Sequence, residues 1–222
     1  MKKQTWRPTL IGLILLLACV TAPSQVPPDI SGNYDVAGTN EDGAAYQGQL
    51  QVLKHGSVYQ FRWLAGNQYD GVGIINGNTI AVAYTDGADG TGCGVVSYRT
   101  LANGTLDGVW GMWGVNQSGT ERAVRASGSP MDGSYNVNGT NPNGGAYKVT
   151  LSIAPQGTGY EFQWSNNSSG FGVTHGNTIS VGFGGSKCAW VAYEIKPGGV
   201  LDGIWGSYGT SSTGTERAVK RR

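Results

Sequence analysis

The sequence predicts an all-β protein of two tandem antiparallel meander domains, small eight-stranded up-and-down barrels, and three observations carry that expectation. Apolar residues recur at every second position. The same series of strand and turn signals occurs twice along the chain. Of 222 residues 38 are Gly and only 13% are charged, a composition suited to many turns and short strands. With 7 Trp and 11 Tyr the chain can fill a core, which argues against wholesale disorder.

The alternation is clear strand by strand. Tyr46, Gly48, Leu50 and Val52 alternate with Gln47, Gln49 and Gln51, and Tyr147, Val149, Leu151 and Ile153 with Lys148, Thr150 and Ser152. Tyr59, Phe61 and Trp63, their counterparts Tyr160, Phe162 and Trp164, and the sets Ile80, Val82, Tyr84 and Ile179, Val181, Phe183 behave alike. Each is a strand with one wet face. About eight such strands fit each copy, separated by turn signals such as Asn76-Gly77, Asn103-Gly104, His175-Gly176 and Gly198-Gly199, the spacing of an antiparallel meander. Eight strands with one apolar face hide it most simply by closing into a barrel. An open curled meander and a two-sheet sandwich are the competing arrangements.

Along the chain the first segment is residues 1–18, where Lys2, Lys3 and Arg7 precede an apolar run too short to span a bilayer. It reads as a secretion signal. Its end, Leu16-Leu17-Ala18-Cys19, resembles the lipobox of bacterial lipoproteins. That resemblance implies that Cys19 becomes the acylated first residue of the mature chain, and that Val20, in place of Asp, directs it to the outer membrane. Loss of the three bases leaves 12 Lys and Arg against 14 Asp and Glu, a net charge of −2. Residues 19–30, rich in Pro and small side chains, read as a tether.

The two copies span 31–127 and 128–222. Gly32-Asn33-Tyr34-Asp35-Val36-Ala37-Gly38-Thr39-Asn40 recurs as Gly133-Ser134-Tyr135-Asn136-Val137-Asn138-Gly139-Thr140-Asn141. Leu106-Asp107-Gly108-Val109-Trp110-Gly111 recurs as Leu201-Asp202-Gly203-Ile204-Trp205-Gly206, and Gly119-Thr120-Glu121 as Gly214-Thr215-Glu216. These motifs resemble a small β-repeat of secreted proteobacterial proteins, some of which carry a fibronectin-binding label. In architecture alone the pattern resembles avidin and lipocalin barrels. A membrane-spanning barrel is disfavoured, because the strands are short and their second faces polar.

Cys93 and Cys188 are equivalent positions on strands whose core faces carry Val96 and Tyr98 or Val191 and Tyr193, so both thiols point outward. Beside them Val95, Val109 and Trp113, with Trp190, Ile204 and Tyr208, make a second apolar face that needs a partner. The economical partner is the other copy, packed about a pseudo-twofold axis that would permit a Cys93–Cys188 disulfide. Asp107, Asp202, Glu121 and Glu216 occupy turn and strand-edge contexts and read as structural. Arg122 and Arg217 share a parity with Val124 and Val219, which would let them stack on core Trp or pair with a carboxylate. His55 and His175 belong to no metal or triad pattern, and Asp86 to Gly92 lacks the spacing of a calcium loop. Near-neutral charge without a basic stripe excludes nucleic acid as the main partner.

These readings lead to a lipid-anchored envelope protein without cofactor, metal or catalysis, with a binding or structural role toward an envelope or extracellular partner. Two alternatives stand beside it: a carrier of a small apolar ligand inside a barrel, and a hydrolase of envelope polysaccharide. If acyl chains supply the anchor, Cys19→Ala moves the protein from the membrane to the soluble fraction. Metabolic labelling with a palmitate analogue checks it, and a wild-type chain that stays unlabelled contradicts it.

Overall fold

The computed structural model describes residues 28–222 apart from 66, 87 and 88, so the signal segment, Cys19 and the tether up to residue 27 lie outside the described residues. Sixteen strands and no helix are found among them. The first five are β1 (Gly32–Thr39), β2 (Ala45–His55), β3 (Val58–Ala65), β4 (Asn67–Asn76) and β5 (Thr79–Asp86). Then come β6 (Gly94–Thr100), β7 (Leu106–Met112), β8 (Gly119–Ser129), β9 (Asp132–Thr140), β10 (Ala146–Gln156), β11 (Gly159–Trp164), β12 (Ser169–His175) and β13 (Thr178–Phe183). The last three are β14 (Ala189–Lys196), β15 (Val200–Gly206) and β16 (Gly214–Lys220).

They form two closed antiparallel barrels of eight strands, as the alternation predicts, but the barrels do not follow the sequence repeat. One is continuous, running from β6 to β13 and closing through the β6–β13 pair. The other is split, with β1 to β5 and β14 to β16 closing through β5–β14 and β1–β16. The expected units 31–127 and 128–222 therefore give way to an inserted barrel over 94–183, held inside a split one. A two-residue turn is the physical reason. β8 and β9 are joined through Pro130 and Met131 alone and pair as a hairpin, Ser129 opposite Asp132. With β9 as neighbour, β8 is unavailable to β1, and β1 closes against β16 instead.

Each barrel interior is a stack of rings and branched side chains. Phe61 lies between Trp63 at 5.7 Å and Tyr193 at 6.2 Å, and Phe162 between Trp164 at 5.8 Å and Tyr98 at 6.3 Å. Every one of these six side chains is buried. The fillers come from both copies in each barrel, since Tyr193 belongs to β14 and Tyr98 to β6.

The expected second apolar face is the surface between the barrels. On one side Val95, Val109 and Trp113 of the inserted barrel and the segment after β7 meet Val58, Val72, Ile74, Ala81 and Ala83 of the split barrel. On the other, Trp190, Ile204 and Tyr208 meet Phe171 and Val173. Near the pseudo-twofold axis β5 and β13 approach closely because the facing residues are Ala83 and Gly182; a Cβ on Gly182 would lie 3.4 Å from that of Ala83. Two hairpin glycines admit the other barrel's backbone. At Gly56 (φ 62) and Gly157 (φ 55) a Cβ would fall 2.2 Å from the carbonyls of Asn116 and Thr210, so neither position accepts a side chain. The adjacent amides of Ser57 and Thr158 donate to those same carbonyls at 3.0 and 3.1 Å.

Cys93 and Cys188 form a disulfide with Cα atoms 5.7 Å apart. They stand on the two chain crossings, β5 to β6 and β13 to β14, so the bond ties together both ends of the inserted barrel. Closing its loop of 95 residues stabilises by roughly 4–5 kcal/mol in the chain-entropy model. Expressed alone, residues 92–188 should melt as one cooperative unit, with a midpoint that drops on adding dithiothreitol. A fragment without a cooperative calorimetric transition contradicts this barrel assignment.

Candidate functional site

Each barrel is plugged at one end and open at the other. At the plugged end equivalent side chains, Ile30 and Met131, pack onto the two cores. The Tyr34 hydroxyl donates to the Ile30 carbonyl at 2.6 Å, and the Met131 amide donates to the Tyr135 hydroxyl at 3.1 Å. Burial pushes the Tyr34 phenol up to about 12.

At the open end each barrel holds a cavity, about 390 Å³ in the inserted barrel and about 520 Å³ in the split one. Trp110, Tyr147, Trp164 and Phe183 wall the first; Trp205, Tyr46, Trp63 and Tyr84 stand at the same positions in the second. Some of the rings meet edge to face, while Trp63–Tyr84 and Trp164–Phe183 are tilted at 50° and 60°. Trp110 makes angles of 74° with Tyr147 and 70° with Phe183, Tyr46 makes 74° with Trp205, and Tyr69 makes 89° with Tyr84. Glycines on neighbouring strands hold two walls of each box. A Cβ at Gly119 or Gly214 would fall 2.4 Å from the indole of Trp110 or Trp205, and one at Gly38 or Gly139 would strike the ring of Tyr46 or Tyr147 at 2.8 or 2.3 Å. These rings approach bare backbone that a side chain would block.

One carboxylate lines each cavity, Glu121 in the inserted barrel and Glu216 in the split one. They are 7% and 5% exposed. Tyr147 donates to Glu121 and Tyr46 to Glu216, both at 2.7 Å, while Tyr98 and Tyr193 donate to the same carboxylates from below. Trp63 Nε1 adds a third bond to Glu216 at 2.9 Å. Its counterpart Trp164 is directed at Glu121 without reaching hydrogen-bond geometry, as Trp110 and Trp205 are toward the Tyr147 and Tyr46 hydroxyls. Burial raises both carboxyls above the ordinary range, opposed by the phenol and indole donors. Burial, then the adjacent carboxylate, likewise pushes Tyr98, Tyr147, Tyr46 and Tyr193 upward, so these phenols stay neutral.

Glu121 and Glu216 thus stand in the interior, not at a strand edge. The available signal was their parity, in phase with Ala123 and Ala218, which are both fully buried. The reverse holds for the arginines. Val124 and Val219 are 44% and 45% exposed, and Arg122 and Arg217 share that outer face. Arg217 lies 3.8 Å from Asp202 there, so the carboxylate pairing is the alternative that holds for it. Tyr59 and Phe61 fill the interior, Trp63 belongs to the same core and also lines the split-barrel cavity, and Trp110 lines the other. Asp89, from the acidic Gly-rich loop, accepts from the Thr91 amide at 2.8 Å as a turn residue does. Among the described residues no group of three His, Cys, Asp or Glu converges as a metal site would need.

No protein-family model matches the chain, and no curated protein or solved structure matches it.

Because folding raises the carboxyl pKa of Glu121 and Glu216 above 4.5, the folded state binds more protons than the unfolded one. Their effect on stability is most favourable below pH 4.5 and is lost as pH rises through the folded values. Melting temperature measured across that range should therefore fall more steeply in the wild type than in a Glu121→Gln, Glu216→Gln double variant. Parallel curves contradict the burial effect.

Proposed function

We propose that the protein is a noncatalytic binding protein, anchored in the outer membrane through acylated Cys19, whose two barrel mouths each take one small ligand. The observation that carries this reading is the pair of equivalent ring-walled cavities of about 390 and 520 Å³, within the size range of small-molecule sites and with one polar group at the floor. It joins the binding role expected from the sequence to the carrier alternative. The hydrolase alternative receives less support. Its chemistry needs two carboxyl groups roughly 5 to 10 Å apart, and among the described residues a single carboxylate lines each cavity.

Titration with the neutral fluorophore N-phenyl-1-naphthylamine tests the reading. Two probes should bind per chain with a blue shift, and Trp110→Ala or Trp205→Ala should each remove one equivalent. A folded wild-type chain that binds neither this probe nor a small organic cation overturns it.

A further inference from the structure

We propose that each barrel mouth binds an organic cation, an alkylated ammonium group, held between the aromatic walls and the carboxylate at the floor. The inference rests on the binding reading above and names its ligand class. Three features of the site converge on it.

The first is charge balance. Glu121 and Glu216 are more than nine-tenths buried, and every group that donates to them is a neutral phenol or indole. No Lys, Arg or His is among the described residues lining the inserted barrel's cavity. In the split barrel the single cation on the lining is Lys187, an exposed rim residue whose Nζ donates to the Thr91 carbonyl at 3.0 Å. A carboxylate so placed is unpaired by charge, and buried charges are ordinarily paired.

The second is the wall. Several aromatic rings line one partly open volume in each barrel, and a cation within about 6 Å of a ring face is attracted by it. Four rings line the inserted cavity at Trp110, Tyr147, Trp164 and Phe183, and Tyr69 and Tyr208 add two to the corresponding four in the split barrel. An alkylated ammonium suits this box better than a bare one, because its weaker hydration is cheaper to remove and its alkyl groups cover the rings.

The third is the state of the acceptor. Two phenols donate to each carboxylate, with the Trp63 indole a third donor to Glu216, so of about four lone-pair positions roughly two stay open on Glu121 and one on Glu216. A ligand anion would meet that carboxylate head on. A purely apolar ligand would bury it without compensation. The Lys187 rim charge makes the split-barrel site the weaker of the two for a cation.

Choline and its neutral carbon isostere 3,3-dimethylbutanol distinguish the outcomes in calorimetric titration of the intact, oxidised protein. Choline should bind both mouths, roughly tenfold more tightly than the isostere. Glu121→Gln with Glu216→Gln should cost choline about that factor and leave the isostere unaffected. Trp110→Leu with Trp205→Leu, which stays apolar but loses the ring faces, should erase the same preference and keeps the test decisive where the carboxamide variant fails to fold. Equal affinity for the two compounds overturns the cation assignment, as does binding of N-phenyl-1-naphthylamine without choline; in both cases the mouths remain binding sites. A chain that binds none of the three overturns both readings.

Discussion

The architecture depends on the two-residue link between β8 and β9. A hairpin that tight commits β8 to β9 before any longer-range pairing is considered, since antiparallel neighbours joined by so short a turn have no freedom to part. Once committed, the eight strands that can close on themselves begin at β6 and not at β1. The remainder, β1 to β5 and β14 to β16, must find each other across the inserted barrel. Two chain crossings follow, and both leave from the end of the barrels where the cavities open. Cys93 and Cys188 lie on those crossings, so the disulfide fastens the place where the topology leaves chain ends least constrained.

The same strands then serve two faces. On β5, β6, β13 and β14 the residues Tyr84, Val96, Phe183 and Val191 point into the cavities, while their neighbours Ala83, Val95, Gly182 and Trp190 meet the other barrel. Period-two geometry sets cavity wall and interface one residue apart. The inter-barrel surface therefore acts as the backing of both sites. Trp190 carries much of it: fully buried, set 6.5 Å from Phe171, with its indole N–H donated to the Ser207 carbonyl at 3.2 Å. Fully burying a side chain of this size is worth a few kcal/mol, and here that burial also stiffens the strand carrying Val191.

What was legible in the sequence follows from what period two can encode. It reports which residues share a face, so the strands, the closed sheets, the outward thiols and the six interface residues from Val95 to Tyr208 could all be read from it. It is silent on which strand supplies the partner at a seam. Val96 opposite Val181 satisfies the same alternation that Val96 opposite Val82 would have, and only the brevity of Ser129-Pro130-Met131-Asp132 distinguishes them. The site was hidden for a different reason. Gly-Thr-Glu reads locally as a turn leading into a strand, and the role of its glycine, clearing space for an indole on β7 or β15, is visible only after the strands are paired. Glu121 then falls on the inner face because it is two residues from Ala123.

Duplication gives the two mouths one plan, yet their walls are not identical. Phe183 stands where the split barrel has Tyr84, Ser168 where it has Tyr69, and Met112 where it has Ser207. The floor shares one plan, a carboxylate that accepts from two phenols, with the Trp63 indole as a third donor in the split barrel alone. Phe183 lacks the hydroxyl of Tyr84, Ser168 lacks the ring of Tyr69 and Met112 replaces a hydroxyl with a thioether, while among the described residues Lys187 adds a charge to the split-barrel rim alone. Differences confined to the rim alter how much of a ligand is covered and which of its outer groups find a partner. A common floor fixes what sort of group can be seated at the bottom. The two sites are therefore built to receive one chemical headgroup presented on different remainders, or one molecule with unequal affinity, and the shared backing between the barrels holds both in register.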